Sequence, residues 1–238
     1  NALLERKGAR TGLIATEGFR DVLEMRRRDR PHTWGLRGTF MPVAARKDRL
    51  EVPERTLSSG EVETAVDVPA VEAAARQLAE AGCESVAIAF VNAYANPENE
   101  RIAREAVARV WPNAHITAAT DILPEIREFE RTSTAALNAY LQPVMGRYLR
   151  RLGAALETGG ASLLIVQSNG GLMTAEEASR APIRTALSGP AAGVVAARAV
   201  GLAAGFDNII GCDMGGTSFD VSLIANGKTA LAAETSID

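Results

Sequence analysis

Histidine is almost missing from this chain, which carries only His32 and His115 in 238 residues. That excludes a multi-histidine metal centre and argues against a Ser-His-Asp hydrolase. Cysteine is as scarce: Cys83 and Cys212 stand far apart, with no CxxC spacing, which excludes a disulfide framework or a zinc ribbon. Each lies beside or within an apolar run, so both are expected to be reduced, buried core thiols of a cytoplasmic protein. No apolar run reaches the length of a membrane span and no signal peptide is visible, so no membrane role is expected. Excess charge is lacking too. A net charge of -3 supplies no general electrostatic case for nucleic acid or an anionic membrane. The basic run Arg26–Arg30 is diluted by Glu24 and Asp29 and reads as a solvated loop. His115, ahead of an apparent strand, reads as structural.

What is present, 47% hydrophobic and 23% charged residues, is the make-up of an ordinary globular protein. Along the chain, Ala9–Thr16 reads as a strand and Gly18–Met25 as a short helix or turn. Arg26–Glu61 is polar and proline-punctuated, either an excursion with short strands or a functional lid. Val71, Ala74, Ala75, Leu78 and Ala79 recur at helical spacing within Val68–Gly82, which Gly82 closes. Ser85–Asn92 is a continuous apolar run of the buried-strand type. Pro97 opens a helix reaching about Trp111, and His115–Ala119 is a further short strand. That alternation predicts an α/β layer with a largely parallel sheet.

Arg131–Leu156 has a long helical pattern that Pro143 should kink or split, and it suits a connecting helix at a domain boundary. Just ahead of it Glu125, Arg127, Glu128 and Arg131 form a dense charged group, read as a solvated or interlobe salt-bridge cluster. A second block then begins: strand Ser162–Gln167, loop Ser168–Leu172, helix Thr174–Ser179, a small-residue helix from Gly189-Pro190 to about Ala204, and two strands.

Those last two strands flank Asp213-Met-Gly-Gly-Thr-Ser218, which admits two readings. Gly-Gly between apolar runs signals a tight hairpin. Equally, Gly215 and Gly216 let a ligand approach bare main-chain N–H groups, while Thr217 and Ser218 add hydroxyl donors. A turn needs neither Asp213 nor Asp220. A carboxylate next to a polyphosphate is repelled unless Mg²⁺ sits between them, so the pattern points to a metal–nucleotide site. Two further glycine loops lie nearby. Ser168-Asn-Gly-Gly171 follows a strand; Asn169 and Gly170 either contact a ligand or make a plain strand-end turn. Ser188 and Gly189 begin a helix whose N-terminus can hold an anion, with Ser188 as an N-cap in the plainer reading. Ala191, Ala192 and Gly193 read as close-packing residues.

Taken in order, these segments resemble the hydantoinase A/oxoprolinase family, the ATP-dependent cyclic-amide hydrolases and related carboxylase subunits. The matching stretches begin at Asn1–Gly8 and Gly18–Leu23, then Phe90–Glu98 and Pro124–Arg131. They continue with Gln167–Met173, Ser188–Val194 and Asp213–Ser218. The resemblance implies an actin-like ATPase fold of the α/β class, as in sugar kinases and Hsp70, with ATP and Mg²⁺ between two lobes. In that family a first Asp-x-Gly-Gly-Thr signature lies near the N-terminus; it is absent here, as the resemblance implies for a chain that begins downstream of it, and Asp213–Thr217 matches the second. The chain opens without methionine and stops soon after a strand, so a piece of a longer polypeptide is expected. Residues 1–130 would close the first lobe, 131–158 link, and 159–238 start the second lobe.

In this picture Asp213 holds a Mg²⁺-bound water. Gly215, Gly216, Thr217 and Ser218 face phosphate oxygens, and Asp220 orients metal or water. Asn169, Gly170, Ser188 and Gly189 join the nucleotide site. The implied substrate is a small cyclic amide, the implied partner a second hydantoinase B-type subunit, and the segment alone is expected not to turn over. Two alternatives fit the same motifs: an ATP-dependent ketone carboxylase subunit, and an actin-like nucleotide-binding module without catalysis.

Overall fold

Thr11–Thr16 forms β1, whose six residues are all buried. A strand with no exposed side must be covered on both faces, and its neighbours show how. In this computed structural model, which describes residues 2–27, 38, 40–157, 163–216 and 219–230, the chain separates into two units, Asn1–Met145 and Gly146–Asp238. The first begins with β1 and a short helix α1 (Val22–Met25), then β2 (Arg49–Val52) and a small hairpin of β3 (Arg55–Thr56) and β4 (Val62–Thr64). It continues with α2 (Val68–Glu80), β5 (Ser85–Ala89), α3 (Glu98–Val110), β6 (Ile116–Ala118), α4 (Ala119–Ile122) and the start of the long α5 (Glu128–Glu157), whose last turns belong to the second unit. β2, β1, β5 and β6 lie side by side in that order, every pair parallel.

Alternation along the strands divides the core in two. Ile14, Val86 and Ile88 point toward α2 and α3, where Val71, Ala75, Leu78, Ala103 and Val107 close over them. Leu13, Ala15, Ala87 and Ala89 point the other way and meet Ala135, Ala136 and Ala139 of α5. Alanine on both sides lets α5 lie close against the sheet. This packing accounts for the outcome at Pro143, where a kink or a split is expected: α5 is not split and continues as one helix. The proline removes one main-chain bond, but Ala139, Tyr140, Leu141 and Gln142 around it are buried.

The stretch 26–61 is partly an excursion with short strands, and one of them, β2, is an edge strand of the main sheet. Arg10 pins it: its guanidinium donates two hydrogen bonds to Asp48 just before β2, at 2.9 and 2.7 Å. That pair holds the Asp48 carboxyl below the ordinary aspartate range. Arg26, expected in a solvated loop, instead lies with its guanidinium 3.8 Å from the centre of the Phe40 ring. Residues 28–37, with His32, lie outside the described residues.

Polar groups are buried where β1 and β5 end. The Thr16 hydroxyl donates to Glu54 and accepts from the Val91 N–H at 2.9 Å, and Asn99 donates to Glu54 at 2.8 Å. Burial pushes the Glu54 carboxyl up. Nearby, Glu100 accepts from the N–H groups of Phe90 and Thr120, each at 2.9 Å, and from the Thr120 hydroxyl at 2.7 Å. Arg131 corrects the sequence reading of a solvated or interlobe cluster. It is 1% exposed, donates to the Phe90 and Glu125 carbonyls and to Glu128, and so belongs to the interior of its own unit. The cause is the buried Phe90 carbonyl at the end of β5, which needs a donor, while the Glu125 carbonyl ahead of α5 takes a second bond.

The second unit is built of hairpins. β7 (Leu164–Val166) and β8 (Leu172–Thr174) pair antiparallel, followed by α6 (Ala175–Arg180), which Thr174 and Glu177 close with a capping box. Then come α7 (Ser188–Ala203), β9 (Ile209–Met214), β10 (Phe219–Ala225) and β11 (Lys228–Thr229), the last three an antiparallel sheet. None of the described helices is long and apolar enough to cross a membrane.

Candidate phosphate site at the end of the second-unit hairpin

Small residues set the geometry. Along α7, Gly193, Ala197 and Gly201 recur every fourth residue and so share a face. Each meets β9. A Cβ added to Gly201 would fall 2.2 Å from Ile209 Cδ1, and one added to Gly211 would fall 3.3 Å from Ala197 Cβ. A Cβ on Gly193 would lie 3.0 Å from Asp213 Oδ2. The helix therefore lies against the strand because side chains are missing at each crossing.

Strand alternation places Ile209, Gly211 and Asp213 on the face toward α7. Cys212 falls on the opposite face and is exposed, as are Ile210, Met214, Phe219, Val221 and Leu223. The expectation of a buried Cys212 is corrected here. An apolar run does not by itself bury both faces of a strand, and among the described residues α7 covers one. Cys83 is buried as expected, and burial pushes its thiol up to about 11.

Asp213 and Asp220 are partners in the ladder, directly opposite each other near the turn of the hairpin. Between them the chain passes through Gly215 and Gly216, both exposed, and a Cβ on Gly216 would meet nothing within 4 Å. Thr217 and Ser218 lie outside the described residues. A cavity of about 150 Å³ opens beside the two aspartates, walled by Pro190 and Gly193 of α7, Gly211 of β9 and Ser222 of β10.

The other residues singled out in the sequence do not line that cavity. Asn169 accepts the Gly171 N–H at 2.9 Å through its side chain, and Gly170 takes φ +81°. Ser168 donates to the carbonyls of Arg184 and Ala186. This loop also approaches α7, since a Cβ on Gly170 would sit 2.9 Å from Val195. Ser188 is the first residue of α7 rather than its cap. Leu187 stands at the cap in the left-handed region, φ 60°, with no side-chain bond closing the helix end. Gly189 is exposed with open space where a Cβ would go. Sequence reasoning missed Pro190, Gly211 and Ser222 as walls and gave Gly193 to packing alone. The fourfold small-residue spacing was the available signal.

Comparison with known proteins joins these features. The hydantoinase/oxoprolinase model matches residues 131–238, and the model of that family's N-terminal region matches residues 1–111. The chain belongs to the hydantoinase/oxoprolinase family. It is 36% identical over 240 residues to caprolactamase subunit alpha of Pseudomonas jessenii, an alignment covering 99% of this chain and 34% of that one. The crystal structure of the ATP-dependent caprolactamase from that organism superposes with a TM-score of 0.83 at 37% identity, over 94% of this chain and 33% of its own. Nucleotide-free acetone carboxylase, from a study of ATP-dependent acetone carboxylation, gives 0.82 at 30% identity, over 96% and 34%. The fold is thus the actin-like α/β fold of this family, and the chain spans about a third of the length of the relatives it matches.

Proposed function

We propose that this chain is the phosphate-handling portion of an ATP-dependent cyclic-amide hydrolase subunit. The observation that carries the reading is the opposed pair Asp213 and Asp220, beside an exposed glycine bend and a cavity under α7. Among the described residues no group of three His, Cys, Asp or Glu side chains gathers to hold a metal. Two carboxylates are nonetheless the donor set that suits Mg²⁺, which keeps several waters and takes one or two protein carboxylates alongside substrate phosphates. The cavity is smaller than the ~300–1,000 Å³ of pockets that enclose a whole ligand. It suits a hydrated ion and a phosphoryl group, with the nucleoside held elsewhere.

In this reading Asp213 holds a magnesium-bound water and Asp220 orients metal or water. Gly215 and Gly216 offer main-chain N–H groups to phosphate oxygens, together with Thr217 and Ser218. Asn169, Gly170, Ser188 and Gly189 form an outer wall of the nucleotide site, reached across the face of α7. ATP cleavage supplies the driving force, because an amide carbonyl is a poor electrophile with a poor leaving group. The protein supplies position and charge. A second subunit is part of the proposal, since the caprolactamase relative is itself named as an alpha subunit.

Ketone carboxylation is the second reading, favoured by the likeness to acetone carboxylase. Cyclic-amide hydrolysis is preferred on the higher identity to caprolactamase. The test measures ATP hydrolysis by the complete protein with its partner subunit. Lactam, hydantoin and 5-oxoproline rings form one arm, bicarbonate with ketones the other. Stimulation by a ring, lost in Asp213→Asn by about 10²-fold or more, supports the proposal. Stimulation only by bicarbonate with a ketone selects the second reading, and an unaffected Asp213→Asn overturns the site.

A further inference from the structure

We infer that Gly193 is a positioning residue for Asp213: its missing side chain fixes where the metal-facing carboxylate can lie. The inference rests on the metal–phosphate reading of the cavity. Three crossings join α7 to β9, and they differ in what the small residue meets. Gly201 faces the aliphatic end of Ile209, and Ala197 faces Gly211. Those two are packing, helix against strand. Gly193 alone of the three abuts a charged group, with a built Cβ 3.0 Å from Asp213 Oδ2, 3.8 Å from Cγ and 3.9 Å from Cβ.

Nothing in packing requires a glycine opposite an exposed carboxylate, because an exposed aspartate can normally swing away from a neighbouring methyl group. Here swinging away has a consequence. Asp213 and Gly193 line the same cavity, so the backbone of α7 is the wall against which the carboxylate stands. A methyl group at 193 pushes Oδ2 a few tenths of an ångström or turns the carboxylate off the wall. Mg²⁺ holds its waters in a near-ideal octahedron at about 2.0–2.1 Å, so a carboxylate that grips one of those waters has little freedom, whereas Ca²⁺ accepts six to eight oxygens at about 2.3–2.6 Å in flexible arrangements. A displaced carboxylate therefore discriminates between the two ions, and a loosened helix does not.

The experiment uses the complete protein with its partner subunit and titrates a non-hydrolysable ATP analogue in Mg²⁺ or in Ca²⁺. Wild type is compared with Gly193→Ala, Asp213→Asn and the double variant. Gly193→Ala is expected to weaken Mg²⁺-dependent binding by about tenfold, the low end of losses seen when an outer-shell partner of a metal ligand changes. Ca²⁺-dependent binding should change far less. The double variant should bind no worse than Asp213→Asn, because a residue that acts only through Asp213 has nothing left to position. The inference is overturned by equal losses in both ions, by no loss in either, by additive losses in the double variant, or by an alanine variant that no longer folds. If Asp213→Asn itself binds the Mg²⁺ complex normally, the underlying site reading falls, a result separable from failure at Gly193 alone.

Discussion

Glu100 offers a sharp test of how the interior of the first unit is held. Its side chain is 0% exposed and accepts three hydrogen bonds, from the main chain of Phe90 and Thr120 and from the Thr120 hydroxyl. Burial raises the pKa of this carboxyl, and the hydrogen bonds and Arg131 offset that in part. The sign follows directly. A carboxyl whose folded pKa exceeds its unfolded value binds its proton more tightly in the fold, so stability is greatest below the ordinary glutamate range and falls as pH rises above it. Glu100→Gln removes that dependence and has its own cost. Glutamine has one acceptor oxygen for two sets of donors, and although a threonine hydroxyl can turn round, a main-chain N–H cannot. One buried amide then loses its partner, at about 1–3 kcal/mol. Urea unfolding at pH 4, 5.5 and 7 should find Glu100→Gln less stable by about that amount at pH 4, with the gap narrowing as pH rises. Glu100→Ala should lose about 2–5 kcal/mol at pH 4, since it orphans both amides and leaves a void, and that gap should narrow with pH in step with the glutamine variant's. A gap between wild type and Glu100→Gln that stays constant or widens with pH refutes the reasoning.

Two further outcomes follow from close approach and burial. Gly8→Ala places a Cβ 2.1 Å from the Tyr140 ring, a rigid body that cannot slip aside as an aliphatic tip can. A loss of about 1–3 kcal/mol is expected, read by denaturant midpoint and relieved when Tyr140 is cut to alanine in the same chain. Cys83, buried and with its thiol pushed up to about 11, should resist a thiol reagent at pH 8 until the protein unfolds. Cys212 should label in the native segment, and mass spectrometry after brief alkylation tells the two apart.

Much of the fold could be read from period alone. The α2 pattern of Val71, Ala74, Ala75 and Leu78 became the buried stripe of that helix. The unbroken apolar run after Gly82 became β5, buried along its length between two helical layers. Burial by the wrong partner was not legible. Arg131 belongs to a string of alternating charges that looks solvated in sequence, and only the fold reveals the carbonyls it serves, at the end of β5 and ahead of α5. Likewise β2 is too short to announce itself; what recruits it to the sheet is the distant pair Arg10 and Asp48. At the candidate site the aspartates stood out because a turn does not need them. The walls did not, because Gly211 and Ser222 are ordinary strand residues until β9 and β10 are put in register.

The two readings of the hairpin therefore do not exclude each other. β9 and β10 are an antiparallel pair joined through Gly215 and Gly216, which is the plain turn, and their ladder is what sets Asp213 opposite Asp220. A ladder fixes such a pair more firmly than a loop does, because moving one aspartate by a single residue would turn every side chain of its strand to the other face. On β9 a one-residue slip would carry Cys212 into the place of Gly211, against Ala197, and Met214 into the place of Asp213, against Gly193. The small-residue face of α7 thus enforces the register, and the register positions the carboxylates. The placement of Asp213 and Asp220 depends on the packing of α7 against β9 as much as on the glycines of the bend.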